Sequence, residues 1–275
     1  MLEGLVVRRV SGEPLETVLG WVEFAGMRLA VGPGVFVPRR RTELLAHTAV
    51  RLARATTDQT DTAGGTPHTA TEQTGTTDPT PPTTDHTDTT DPTRRTTTGR
   101  APRPTTGAVV VEACCGVGPV AAVVARDVPG ADVHAVDVDP VATAWAARNL
   151  AGRGRVWNGD LLDPLPAALR GRVDVLVANA PYVPSAAVVT MPTEARRHEP
   201  LVALDGGSDG ADVQRRLLAA APAWVAPGGH VLVETSRRQV PLTRAACPPG
   251  WAVEVLHDED VDATVVVARR PVRPT

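Results

Sequence analysis

From residue 108 onward, short apolar runs alternate with stretches of helical periodicity. V-V-V-E-A (109–113) has the unbroken apolar character of a strand covered on both faces. P-V-A-A-V-V-A-R, which follows C-C-G-V-G, reads as a helix. V-H-A-V-D-V (133–138) predicts a second strand. Asp139 then stands as an N-cap with Pro140 at the first helical position of V-A-T-A-W-A-A-R-N-L. Further strands are predicted at 155–158, 173–178, 230–235, 251–257 and 263–269, with a helix over A-D-V-Q-R-R-L-L-A-A-A (211–221). This alternation predicts an α/β fold, a doubly wound parallel sheet with helices on both faces. Only D-E-D-V-D separates the last two strands, which forces an antiparallel pair at one edge.

Ahead of this region, F-A-G-M-R-L-A-V (24–31) has the look of a hairpin. Residues 56–107 break the pattern, with 22 threonines and no Val, Leu, Met, Phe, Trp or Tyr. Such a segment cannot bury enough apolar surface to offset its ordering entropy, so it is predicted to be disordered. The chain therefore divides into an N-terminal segment (1–55) with a hairpin and a helix, a Thr-rich insert (56–107), and an α/β domain (108–270).

Charge narrows the partners. All 28 basic residues are arginine, against 31 acids. The insert holds 4 Arg and 7 acids, so the rest has 24 of each and no net charge. A nucleic-acid binder usually carries a basic excess, so nucleic acid is not the expected partner. The apolar run at the start is too short for a signal peptide, and no stretch is long enough to span a bilayer. Three cysteines, two of them adjacent, make neither a disulfide framework nor a zinc spacing. A cytoplasmic monomer without metal is expected. Cys114 and Cys115 read as small buried fillers, His198 and the other histidines as surface or capping groups, and Arg39–Arg41 as a solvated face.

In doubly wound sheets, ligands bind at the carboxyl ends of the strands near the topological switch point. The candidates fall there. Glu112 ends the first strand, and Gly116 and Gly118 allow a tight turn and a close backbone approach. Asp137, 19 residues beyond Gly118, has the spacing of an acid that grips ribose hydroxyls. Asp160 follows the third strand, and Asn179, Ala180, Pro181 and Tyr182 follow the fourth. The third glycine of a dinucleotide fingerprint is missing from C-C-G-V-G-P-V-A. A carboxylate at the end of the first strand would repel a pyrophosphate, and it suits a cofactor with an amino-acid end and a sulfonium. S-adenosylmethionine fits those terms.

E-A-C-C-G-V-G (112–118) resembles motif I of the class I methyltransferases, with Cys114 where the family usually has glycine. N-A-P-Y (179–182) resembles the N-P-P-Y motif of the amino-methyltransferases. Across 1–54 and 108–267 the chain resembles the protein-(glutamine-N5) methyltransferases, the HemK/PrmC family that modifies release factors. The likeness includes G-E-P-L-E-T-V-L-G (12–20), P-G-V-F-V-P-R-R-R-T-E (33–43), A-L-D-G-G-S-D-G (203–210) and V-E-T-S-R-R-Q (233–239). It is nearest to a related subgroup that carries N-A-P-Y.

The resemblance implies a Rossmann-like, seven-stranded, mostly parallel sheet with an antiparallel edge strand. It also implies methyl transfer from S-adenosylmethionine to the side-chain amide of a glutamine, in a protein such as a peptide chain release factor. Glu112, Cys114, Gly116, Gly118, Asp137, Asp160 and Asn179 would hold the cofactor, and Asn179, Ala180, Pro181 and Tyr182 would handle the amide. The family's N-terminal helical domain, which contacts the protein substrate, is expected to be missing ahead of Gly12. N-A-P-Y suits any planar, conjugated NH2 group, so adenine N6 methylation stays open as an alternative. A non-catalytic S-adenosylmethionine-binding protein is the other.

Overall fold

The computed structural model describes residues 2–63 and 107–272. Two short helices, α1 (Leu2–Val10) and α2 (Leu15–Leu19), precede a hairpin of β1 (Trp21–Phe24) and β2 (Met27–Ala30). A 3-10 turn at Arg40–Thr42 then leads into the long helix α3 (Glu43–Ala63). The expectation of disorder from residue 56 needs correcting for its first eight residues, because α3 runs through them to Ala63. Threonine is a weak helix former but not a breaker, and the Thr56 and Thr57 hydroxyls bond back to the Leu52 and Ala53 carbonyls. The rest of that expectation falls on 64–106, outside the described residues.

The main sheet is built from β3 (Val109–Ala113), β4 (Asp132–Asp137), β5 (Arg155–Asn158), β6 (Val173–Ala178), β7 (Val225–Glu234), β8 (Ala252–Asp258) and β9 (Ala263–Arg269). Its order is β5-β4-β3-β6-β7-β9-β8. The first five strands in that order pair in parallel, and β9 runs antiparallel to both β7 and β8. The antiparallel pair at the edge is the one expected from its short connection, and the seven-stranded, mostly parallel sheet is the one the resemblance implied.

Why β3 and β6 read as continuous apolar runs is plain from their burial. Val110, Val175 and Val177 enter a core layer with Phe24, Leu29, Leu45 and Val123. Val109, Val111, Leu176 and Ala178 enter the opposite layer with Leu217 and Trp224. A strand covered on both faces has no polar side to alternate. The first layer is closed by α3, α4 (Pro119–Asp127) and α5 (Pro140–Leu150), the second by α8 (Asp212–Trp224).

Two short helices, α6 (Ser185–Val188) and α7 (Thr193–His198), lie between β6 and α8, and α9 (Val240–Ala246) follows β7. The hairpin is fastened to the domain by Asn149 of α5. Its side chain accepts from the Ala30 N–H at 2.8 Å and donates to the carbonyls of Ala30 and Val117 at 3.0 and 2.9 Å. This single amide ties the N-terminal segment to the loop after β3. Strand order reverses at β3, whose neighbours are β4 and β6, so the crevice expected to bind ligands opens at their carboxyl ends.

Candidate functional site

A cavity of about 580 Å³ occupies that crevice. Its wall includes Glu112, Cys114, Gly116, Asp137, Asp160 and the whole of Asn179–Tyr182, so four strand ends deliver their candidates to one space. Ala113 pairs with Ala178 in the sheet, which puts the loop after β3 beside Asn179. Gly118 is not part of the wall. It precedes α4 with φ 73°, and a Cβ there would come within 3.2 Å of the Ala146 methyl, so it serves the packing of α4 on α5.

One side of the cavity holds the buried Glu112 and the half-buried Asp137. Glu112 is 3% exposed, and its two oxygens accept from Val120 and Ala121 N–H at 3.2 and 2.7 Å, at the start of α4. Burial nevertheless raises its pKa to about 8, with the two N–H groups opposing the shift. Asp137 accepts from Gly116 N–H at 2.8 Å and Asp139 N–H at 2.9 Å, which makes it the clasp of the glycine-rich loop. Burial raises its pKa as well. Asp139 caps α5 as expected, accepting from Val141 N–H at 2.8 Å.

Asp160 is exposed and paired with Arg216 of α8, and both line the cavity. Cys114 has φ 52°, in the left-handed region where glycine is at ease, which accounts for the family's usual residue there. Burial pushes the thiols of Cys114 and Cys115 well above the ordinary range; Cys115 is a buried filler as expected, while Cys114 is half-buried and lines the cavity.

The other side is the N-A-P-Y turn. Asn179 Nδ2 donates to Thr42 Oγ1 at 3.2 Å. Ala180 is fully buried, and Pro181 confines it to extended geometry. The half-buried Tyr182 ring lies under the Arg41 guanidinium, 5.7 Å from the ring centre, and desolvation pushes its phenol up to about 12. The flanking motifs turn out to be braces for this turn. Gln239 donates to the Tyr182 carbonyl at 2.7 Å and to the Asp209 carbonyl at 3.2 Å. A Cβ at Gly206 would lie 2.6 Å from the Pro181 carbonyl oxygen, and one at Gly210 would lie 2.3 Å from the Tyr182 oxygen. Only glycine fits at either position. V-E-T-S-R-R-Q and A-L-D-G-G-S-D-G thus meet on the backbone of Pro181 and Tyr182.

Two expectations are corrected. Arg39 and Arg41 are not a solvated face: Arg39 pairs with the buried Glu199, and Arg41 Nε donates to the buried Glu234 at 3.2 Å. Among the histidines, His134 is neither surface nor cap. It is fully buried in β4, stacked on Trp157, with Nδ1 accepting from the indole N–H at 3.1 Å. Its place inside V-H-A-V was the available signal. Reading the residues alone also missed Phe36, Thr42 and Glu199 in the wall. The one signal for Phe36 and Thr42 was the resemblance of 33–43 to a family segment, and Glu199 had none.

The buried Glu112 and the half-buried Asp137, both with raised pKa values, suit a ligand that brings an ammonium or sulfonium charge and hydroxyl donors. The residues present therefore fit S-adenosylmethionine. Among the described residues no group of His, Cys, Asp and Glu could hold a metal ion, and no helix is long and apolar enough to cross a membrane.

Residues 100–197 match the family described as the methyltransferase small domain. The chain is 33% identical over 259 residues to the release factor glutamine methyltransferase of Streptomyces coelicolor, covering 93% of this chain and 75% of that one. The Geobacter sulfurreducens release factor glutamine methyltransferase is 32% identical over 234 residues, and the match spans 84% of this chain and 63% of the relative. A 4-amino-L-phenylalanine/4-methylamino-L-phenylalanine methyltransferase of Streptomyces pristinaespiralis is 31% identical over 236 residues, 86% of this chain and 65% of its own. The chain thus spans just under two thirds of the length of the Geobacter and S. pristinaespiralis proteins.

Proposed function

Because the chain belongs to the release factor glutamine methyltransferase family, we propose that it methylates the side-chain amide nitrogen of a glutamine in a peptide chain release factor. The observation that carries this reading is the shared cavity, where an N-A-P-Y turn faces the same space as Glu112 and Asp137. Glu112, Cys114, Gly116, Asp137 and Asp160 hold S-adenosylmethionine, with Gly118 supporting their loop from behind. When bound, the cofactor supplies an electrophilic methyl group on a sulfonium.

The protein's task is to ready the amide. A glutamine nitrogen is a poor nucleophile because its lone pair is delocalised into the carbonyl. The Asn179 side-chain oxygen and the Ala180 carbonyl accept the two N–H bonds of the substrate amide. They turn the nitrogen lone pair toward the methyl and stabilise the positive charge that develops on nitrogen. Pro181 sets the direction of the Ala180 carbonyl, which is why alanine can replace the motif's first proline: the acceptor is backbone. The Tyr182 ring packs on the planar amide. No general base is needed before transfer, since the nitrogen can release its extra proton to water afterwards.

An aromatic amine is the second reading. It is favoured by the S. pristinaespiralis relative, whose name gives an aryl NH2 as its target. The test is labelled methyl transfer offered to a release factor with a Gly-Gly-Gln loop, the same factor with that glutamine changed to alanine, 4-amino-phenylalanine, and single- and double-stranded DNA. Label on the intact factor alone is expected. Label on the free amine alone would move the function to the second reading. Label on DNA alone would move it to adenine.

A further inference from the structure

Asn179 raises a question of orientation. The two ends of a primary amide are nearly isosteric, so only hydrogen-bond partners decide which end faces the cavity. If the NH2 end faced the substrate amide, donor would meet donor and the site would be dead.

Thr42 settles which end is held back, and Glu234 settles Thr42. The Thr42 hydroxyl has one proton and can give it to one acceptor. On one side it meets Asn179 Nδ2 at 3.2 Å. On the other lies Glu234 at the end of β7, its side chain 1% exposed. Burial raises its pKa, the Thr42 hydroxyl and Arg41 oppose that shift by favouring the charged form, and among the described residues its buried Oε2 has no hydrogen-bond partner. A buried carboxylate with a spare oxygen is the strongest acceptor for the Thr42 proton. Once that proton points to Glu234, the Thr42 oxygen can only accept. It then selects the NH2 end of Asn179 and leaves Oδ1 for the cavity.

We propose that Thr42, fixed by Glu234, is a positioning residue that sets the Asn179 amide with its oxygen toward the methyl-accepting nitrogen. Arg41 completes the device by neutralising Glu234 from the other side, at 3.2 Å. The inference rests on the proposed role of Asn179, and its test separates the two. The parent, Thr42→Val, Thr42→Ser, Asn179→Ala and the double variant Thr42→Val/Asn179→Ala are compared in steady-state methyl transfer, with calorimetry for cofactor affinity.

Thr42→Val should lower kcat about ten- to a hundredfold, as expected when an oriented transition-state acceptor is lost for most of the time. KM and cofactor affinity should stay within about twofold, because neither depends on which amide end faces the cavity. Thr42→Ser, which keeps the hydroxyl, should recover most of kcat, and the double variant should be no slower than Asn179→Ala. If Asn179→Ala is inactive while Thr42→Val keeps full kcat, or if the two losses multiply in the double variant, the positioning role is overturned and the proposed function stands. If Asn179→Ala keeps full activity, the proposed function itself fails. Should Thr42→Val not fold, Glu234→Gln replaces it. An amide there can donate to the Thr42 oxygen and free its proton for Asn179 Oδ1, so a loss of kcat is expected, and unchanged kcat overturns the inference.

Discussion

The two sides of the cavity are held in different ways. On the cofactor side the two inner acids have supports close in sequence: Glu112 is bound by N–H groups eight and nine residues on, and Asp137 by one 21 residues back, while the exposed Asp160 reaches Arg216 across 56. On the N-A-P-Y side the partners are remote. Asn179 leans on Thr42 across 137 residues, the Tyr182 carbonyl on Gln239 across 57, and Arg41 on Glu234 across 193. The first side is largely a property of two successive strand–loop–helix turns, β3 to α4 and β4 to α5. The second exists only when the hairpin segment, the loop before α8 and the end of β7 have all converged. Damage to the first should show in cofactor affinity, and damage to the second in turnover.

The sharpest test of that division is a pair of truncations. Asn179→Ala should cut turnover about a hundredfold or more, since it removes one of the two acceptors proposed to work in the transition state. Its cofactor affinity should change far less. Asp137→Ala should do the reverse and weaken cofactor binding roughly tenfold or more, because a charged acceptor lost from a buried hydrogen bond costs about 1.5–3 kcal/mol. Asp139→Ala, two residues along, should lower stability by about 1 kcal/mol through the lost helix cap while leaving affinity alone. Calorimetry and kinetics that gave both truncations the same profile would dissolve the distinction.

Glu112 gives a smaller but more specific signature. Raised to about 8 by burial, it is mainly protonated near neutral pH in the free protein. Its pKa when unfolded is 4.5, so its contribution to free-protein stability is complete below that value and is lost as pH rises through about 8. A cationic ligand beside it favours the ionised form. Binding should therefore release up to about one proton, and affinity should climb with pH until it levels off above Glu112's raised value. Titrations in two buffers of different ionisation heat would read the proton directly. Glu112→Gln should erase the buffer dependence, and a dependence that survives would place the ionisable group elsewhere.

The same division explains what could be read from the sequence. Strand ends, glycines and acids on the cofactor side follow turn and capping rules that act within about 20 residues, so Glu112, Asp137 and the Asp139 cap were legible. The sheet was legible too, because buried parallel strands write themselves as continuous apolar runs. Thr42, Arg41 and Glu234 obey no local rule: three consecutive arginines look like a solvated face until the fold sets two buried glutamates against them. The helix end at Ala63 was missed for another reason. Composition argued against order, yet α3 enters the insert already anchored by Leu45, Ala49 and Ala53, and an anchored helix can extend through residues that would never start one.

Cys114 brings the comparison to its smallest expected effect. A side chain at φ 52° costs about 1–2 kcal/mol against the extended or right-handed regions, and glycine does not carry that cost. Glycine gives back roughly 0.5–1 kcal/mol through the freedom it adds to the unfolded chain. Cys114→Gly should therefore be mildly stabilising, by about 1 kcal/mol at most, seen as a rise of a few degrees in Tm. Because Cys114 lines the cavity beside Asp137's loop, any change in affinity belongs to the cofactor and none to turnover at saturating cofactor. A drop in Tm would mean that the thiol's packing against the second core layer outweighs its backbone strain. In that case cysteine at this position is a structural choice rather than a tolerated departure.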